Sequence, residues 1–106
     1  MRKNNRTAAV VCALFSIPLA HADVTQMLQS NACTACHQPA ARVVGPSWQE
    51  VAQRYNDGSK SAEQLAASIK SGGSGTWGAV PMPPQAQLSD ADAGSIAKWI
   101  LTEAHQ

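Results

Sequence analysis

Apolar residues recur at helical spacing in four stretches of the chain, and no stretch alternates with period two for long enough to make a strand. The first predicts a helix over residues 23–34, with Val24, Met27, Leu28 and Ala32 on one face and Asp23 as its cap. The second, over residues 47–55, sets Trp48, Val51, Ala52 and Tyr55 on one face. It opens on Ser47 and Glu50, a capping box in which each side chain satisfies the other residue's free amide, and Asn56-Asp57-Gly58 stops it. A second box, Ser61 with Gln64, starts the third helix, which carries Ala62, Leu65, Ala66 and Ile69 and ends at Gly72. The fourth starts at Ser89, with Asp92 three residues on, and runs to about residue 104 with Ala93, Ile96, Ala97, Ile100 and Leu101 inward. The pattern is that of an all-α, small single domain of about four helices.

The apolar run over residues 8–19 does not belong to this pattern. Arg2, Lys3 and Arg6 precede it and Ala20-His21-Ala22 follows it, the three parts of a secretory signal peptide. Twelve residues at about 1.5 Å each fall well short of a hydrocarbon core of about 30 Å, so the run is not a membrane span. Cys12 lies inside the run with Val11 before it, unlike a lipoprotein signal, and there is no twin-arginine pair. The expectation is a leader over residues 1–22, cut after Ala22, and a functional domain over residues 23–106 in the periplasm.

Cleavage changes the balance of charge. The whole chain has a formal net charge of +1, but residues 23–106 hold five Lys and Arg against seven Asp and Glu, a net of −2. That excludes the basic excess of a nucleic-acid binder. The 84 residues that remain are near the size at which a side-chain core alone is marginal, so a covalent or cofactor staple is expected. Only Cys33 and Cys36 remain to provide it.

Cys33-Thr34-Ala35-Cys36-His37 is C-x-x-C-H, the attachment sequence of c-type haem. Two thiols at this spacing can each add to one of the two vinyl groups of a haem, and the adjacent imidazole becomes the proximal ligand. A thioredoxin-like site would need a βαβ context. A structural zinc site would need four ligands, with only His105 to complete the set. A plain disulfide would not call for the histidine.

The second axial ligand decides the chemistry, because a sixth protein ligand closes the iron and makes an electron carrier, whereas an empty position admits small ligands. Met27 is on the helix that leads into the motif and reads as a core residue, and His105 as a solvated one near the C-terminus. Met82 stands 45 residues after His37, bracketed by Pro81, Pro83 and Pro84, on a loop long enough to reach the far face of a haem. It is the candidate sixth ligand. The carbonyl of Pro46 is the candidate acceptor for the other ring N–H of His37. The indole of Trp77 is a candidate donor to a haem propionate.

Together these residues resemble the small class I bacterial cytochromes c, most closely the cytochrome c-551 (cytochrome c8) family. The resemblance rests on Cys33-Thr34-Ala35-Cys36-His37, Val44-Gly45-Pro46, Ile69-Lys70, Gly75-Thr76-Trp77-Gly78-Ala79-Val80-Pro81-Met82-Pro83-Pro84 and Ala97-Lys98-Trp99-Ile100-Leu101. It implies one His/Met-ligated haem c, Pro46 bonded to His37, Trp77 to a propionate, and the first helix packed on the last through Ala32 and Trp99. Two positions depart from the family pattern. Ser68 stands where some members carry a basic residue near the propionate, and Gln85 where an asparagine often bonds the methionine sulfur.

The functional expectation is a monomeric periplasmic carrier that shuttles single electrons between respiratory redox proteins and is not an enzyme. The resemblance suggests nitrite reductase, cytochrome c peroxidase or a terminal oxidase as partners, with no nucleic acid and no membrane span. Docking is expected through the apolar residues Ala35, Ala40, Val43, Val44, Ala79, Pro81 and Pro83. The alternatives are a tightly bound subunit of a periplasmic dehydrogenase and a haem protein with an open iron.

Overall fold

The computed structural model describes residues 8–14 and 23–104; the expected cleavage site and His105 lie outside them. Residues 8–14 have no regular structure and are exposed, so their apolar side chains add nothing to the core. From residue 23 onward the chain forms helices α1 (Val24–Ser30), α2 (Trp48–Tyr55), α3 (Ala62–Ser71) and α4 (Asp90–Thr102), with a 3-10 turn over Cys33–Ala35. Among the described residues there is no strand, only two isolated bridges, His37 with Arg42 and Gly73 with Met82. The all-α architecture is as the periodicity predicts.

The caps form where the sequence places them. Ser47 Oγ accepts from the Glu50 amide at 3.1 Å while Glu50 Oε2 accepts from the Ser47 amide at 2.7 Å. Ser61 and Gln64 do the same at 3.1 and 2.9 Å, and Ser89 Oγ accepts from the Asp92 amide at 3.0 Å. Each such cap contributes about 1 kcal/mol. Asp23 caps α1 through the Thr25 amide.

The first helix differs from expectation. It ends at Ser30 instead of continuing to residue 34. Asn31 Nδ2 joins its own backbone amide on the Met27 carbonyl, at 2.9 and 3.1 Å, the Ala32 amide reaches back only three residues to the Gln29 carbonyl, and Ala32 turns left-handed at φ 57°. A left-handed alanine costs roughly 1–2 kcal/mol. Ala32 therefore lies beyond α1 and borders a cavity beside Cys33, and Leu28 is the buried residue of α1 where it packs on α4.

Helix α4 is the centre of the fold, in contact with α1, α2 and α3. Its Ala93, Ile96, Ala97 and Ile100 meet Leu28, Trp48, Val51, Ala52, Leu65 and Leu88 in one core. Met27, Tyr55, Ile69, Trp77 and Trp99 pack around the edge of it. The alanines of α4 let its neighbours approach closely, and the space left beside α2 and α3 becomes the functional cavity.

Candidate functional site

The break after α1 determines how the two cysteines are presented. Released from the helix by Ala32, the chain winds tightly through Cys33–Ala35, and the Cys36 and His37 amides both bond to the Cys33 carbonyl, at 3.2 and 3.0 Å. Cys33 and Cys36 are half-buried and are not joined to each other in a disulfide. Burial pushes the Cys33 thiol up, against a smaller lowering by its own backbone amide and with a further push from Cys36.

His37 is held from three sides by one short segment, Gly45-Pro46-Ser47-Trp48. Its Nδ1 lies 2.7 Å from the Pro46 carbonyl oxygen. A carbonyl only accepts, so Nδ1 carries the proton and Nε2 keeps its lone pair, the form in which imidazole binds a metal. Gly45 lies against the ring: a Cβ there would fall 2.7 Å from His37 Cε1. The indole of Trp48 stacks on the imidazole, with centroids 4.7 Å apart and planes at 27°.

Met82 is fixed by its backbone. Its amide donates to the Gly73 carbonyl at 2.8 Å, its carbonyl accepts from the Gly73 amide at 3.0 Å, and the Gln85 amide ties the next turn to the Lys70 carbonyl at the end of α3. The prolines around it have no amide to give, so these are the bonds available to the loop. Gln85 directs its side-chain Nε2 to the Pro83 carbonyl at 2.9 Å.

Cys33, Cys36, His37 and Met82 all line one cavity of about 390 Å³, together with Pro46, Trp77 and Gln85. That volume lies in the range of about 300–1,000 Å³ typical of small-molecule and cofactor sites. One side is basic. Arg42 and Lys60 reach the cavity, and Lys60 Nζ donates to Ser68 Oγ at 2.9 Å. Arg42 donates to the Trp77 carbonyl at 3.0 Å while bridging to Glu50. Arg54 donates to the Thr76 carbonyl at 2.9 Å and lies 4.6 Å over the Trp77 ring. Sequence reasoning counted these arginines only as charge; no local pattern marks a side chain that clamps a loop 22 or 35 residues away. It likewise read Trp48 as core alone.

The donors fit a haem. They are two thiols three residues apart, an imidazole with Nε2 free, and a neutral thioether, in a largely apolar hollow with cations at one side. They do not suit a bare metal ion, and among the described residues no group of three or more His, Cys, Asp or Glu could hold one.

Comparison with known proteins agrees. The cytochrome c family model matches residues 22–104, and the chain belongs to that family. More narrowly, it is a class I c-type cytochrome that resembles the bacterial c-551 and c-552 proteins. It is 47% identical over 90 residues to cytochrome c-552 of Nitrosomonas europaea, covering 85% of this chain and 86% of that one. To cytochrome c-551 of Azotobacter vinelandii it is 44% identical over 77 residues, 73% of this chain and 93% of the other. The crystal structure of the wild-type Nitrosomonas europaea protein superposes with a TM-score of 0.70, covering 74% of this chain and 96% of that chain. The protein thus carries one covalently attached haem c and is an electron carrier rather than an enzyme.

Proposed function

We propose that the chain is exported, cut after Ala22, and acts in the periplasm as a one-electron carrier whose iron has a permanent His/Met ligand pair. The family match begins at residue 22, beside the expected cleavage point, which supports that boundary. No helix among the described residues is long and apolar enough to cross a membrane.

In this reading Cys33 and Cys36 would hold the haem by thioether bonds, and His37 Nε2 and the Met82 sulfur would bind its iron. When bound, the haem supplies the Fe(II)/Fe(III) couple. The residues of the chain do the rest. Pro46 holds Nδ1 by its hydrogen bond, so Nε2 would be the nitrogen presented to the iron. Gly73, through its two bonds to Met82, holds the thioether in place, which limits ligand movement between the states. A soft sulfur ligand favours Fe(II), and an apolar cavity disfavours the extra charge of Fe(III); both raise the potential. Trp77, Arg42 and Lys60 form the side suited to the haem carboxylates.

What carries this reading is the shared cavity: one hollow receives both thiols, the free face of an oriented imidazole, and a thioether on a clamped loop. The outer rim is apolar, with Val43, Val44 and Val80 at 61%, 47% and 63% exposure. A redox protein of the respiratory chain, such as nitrite reductase, cytochrome c peroxidase or a terminal oxidase, would dock there. The deciding experiment is the absorption spectrum of the oxidised protein, wild type and Met82→Ala. A weak far-red methionine-to-iron band that the substitution abolishes supports the carrier. A wild-type protein that lacks the band and is high-spin would replace it with a haem protein open to external ligands.

A further inference from the structure

We propose that Trp48 is a positioning residue for the proximal imidazole, one that orients His37 and lowers the reduction potential by stacking on it. The inference rests on His37 being the proximal ligand, as above. Its basis is the geometry of the ring's surroundings. The Pro46 carbonyl restrains His37 at one edge, through Nδ1, and Gly45 approaches the Cε1 side so closely that no Cβ fits. Both act at the ring's edge. The indole bears on its face, at 4.7 Å and 27°.

Close packing does not supply that restraint instead. Behind His37 lies a second hollow of about 250 Å³, bordered by Leu28, Pro39, Trp48 and Trp99. With that hollow beside the ring, the indole is the aromatic contact that supports the imidazole face. Trp48 is itself held: it is only 7% exposed, its amide donates to the Gln38 carbonyl at 2.9 Å, and Trp99 meets it edge-on at 5.8 Å and 81°. Gln38 is the residue after His37, so the bond ties the ligand's own strand of chain to the start of α2. The position follows from the capping box, since Ser47 as cap makes Trp48 the first residue of the helix and sends its ring towards His37.

The stack has an electronic consequence. An imidazole bound to Fe(III) carries more positive charge than one bound to Fe(II), and the face of an indole is the negative side of its quadrupole. The indole therefore stabilises the oxidised state relative to the reduced one. Loss of packing acts in the opposite sense: water reaching the ring would favour Fe(III). The sign of the change in potential separates the two roles.

The test compares the holoproteins of Trp48→Leu and Trp48→Phe with wild type in three measurements: reduction potential, the far-red methionine band, and the NMR shifts of the haem methyl groups and His37 ring in the oxidised state. Leu88→Ala, a buried core site outside both hollows, calibrates loss of stability alone. The expected result is a rise in potential for Trp48→Leu with altered ring and methyl shifts, a smaller rise for Trp48→Phe, and no rise for Leu88→Ala. If the leucine variant does not fold, the phenylalanine variant alone decides. A potential that falls or stays level, with unchanged shifts, would overturn the proposal and leave Trp48 as core. Retention of the far-red band in every variant keeps this outcome distinct from failure of the His/Met reading, which would show as a missing band in the wild type.

Discussion

The ammonium of Lys60, just before the cap of α3, donates to the hydroxyl of Ser68 within that helix at 2.9 Å. Ser68 is itself uncharged, and the cation beside it on the cavity wall comes from Lys60. The lysine also lies 5.1 Å over the Tyr55 ring, which keeps its stem along the cavity wall.

A cation beside a haem disfavours Fe(III), so Lys60→Met should lower the reduction potential. The effect should be of order 0.2–1 kcal/mol, the range of partly exposed charge pairs, and should shrink as salt is added. Adding Ser68→Lys to that variant should restore the potential. Redox titration at low and high ionic strength checks both; a potential unchanged by Lys60→Met would remove Lys60 from the haem's surroundings.

Gly72 caps α3 at φ 65° and ψ −163°, a conformation close to glycine-only, and a Cβ there would lie 2.3 Å from the Met82 carbonyl oxygen. Gly72→Ala should therefore cost about 1–3 kcal/mol in backbone strain and push the Gly73–Met82 bridge apart. The expected outcome is a fall in Tm of several degrees, together with a weakened far-red methionine band. A lower Tm with the band intact would mean that the loop bearing Met82 does not depend on this cap.

Glu50 joins two roles: it completes the cap of α2 by accepting from the Ser47 amide, and it pairs with Arg42. The Ser47 amide, more than Arg42, holds its carboxyl below the usual range. A group whose folded pKa is depressed contributes stability above its unfolded value and loses it as pH falls through the folded one. Stability should thus decline as pH drops below about 4.3, the ordinary value for glutamate, and Glu50→Gln should flatten that part of the curve. Denaturant titrations between neutral pH and pH 3 measure it. Equal slopes in the two proteins would exclude Glu50 from the acid transition.

The helices were legible because their signals are local. Ser47 with Glu50 and Ser61 with Gln64 stop a helix from starting anywhere else, and the apolar faces behind them follow from spacing. The end of α1 was not, because it turns on an alanine accepting a left-handed turn, which propensity does not favour. At the candidate site, Cys33, Cys36 and His37 stand out by their spacing and Met82 by its prolines. Arg54 over Trp77 and Trp48 on His37 depend on segments that meet only once the chain has folded.

The electrostatics of docking give the last prediction. Residues 23–106 carry a net charge of −2, and their cations are partly engaged within the molecule: Arg42 with Glu50, Lys70 with Asp90, Arg54 with Thr76 and Lys60 with Ser68. The rim around the cavity instead exposes Val43, Val44 and Val80. Charge-steered partners gain 10- to 10³-fold in association rate and lose it in salt, whereas an apolar patch keeps its hydrophobic contribution. Electron transfer to a physiological partner should therefore change by well under tenfold between low and physiological ionic strength. Val80→Asp, which puts a charge in the patch, should slow it more than salt does. Stopped-flow reduction of the partner at several salt concentrations tests both expectations, and a steep fall in rate with salt would place docking on a charged surface instead of the valine rim.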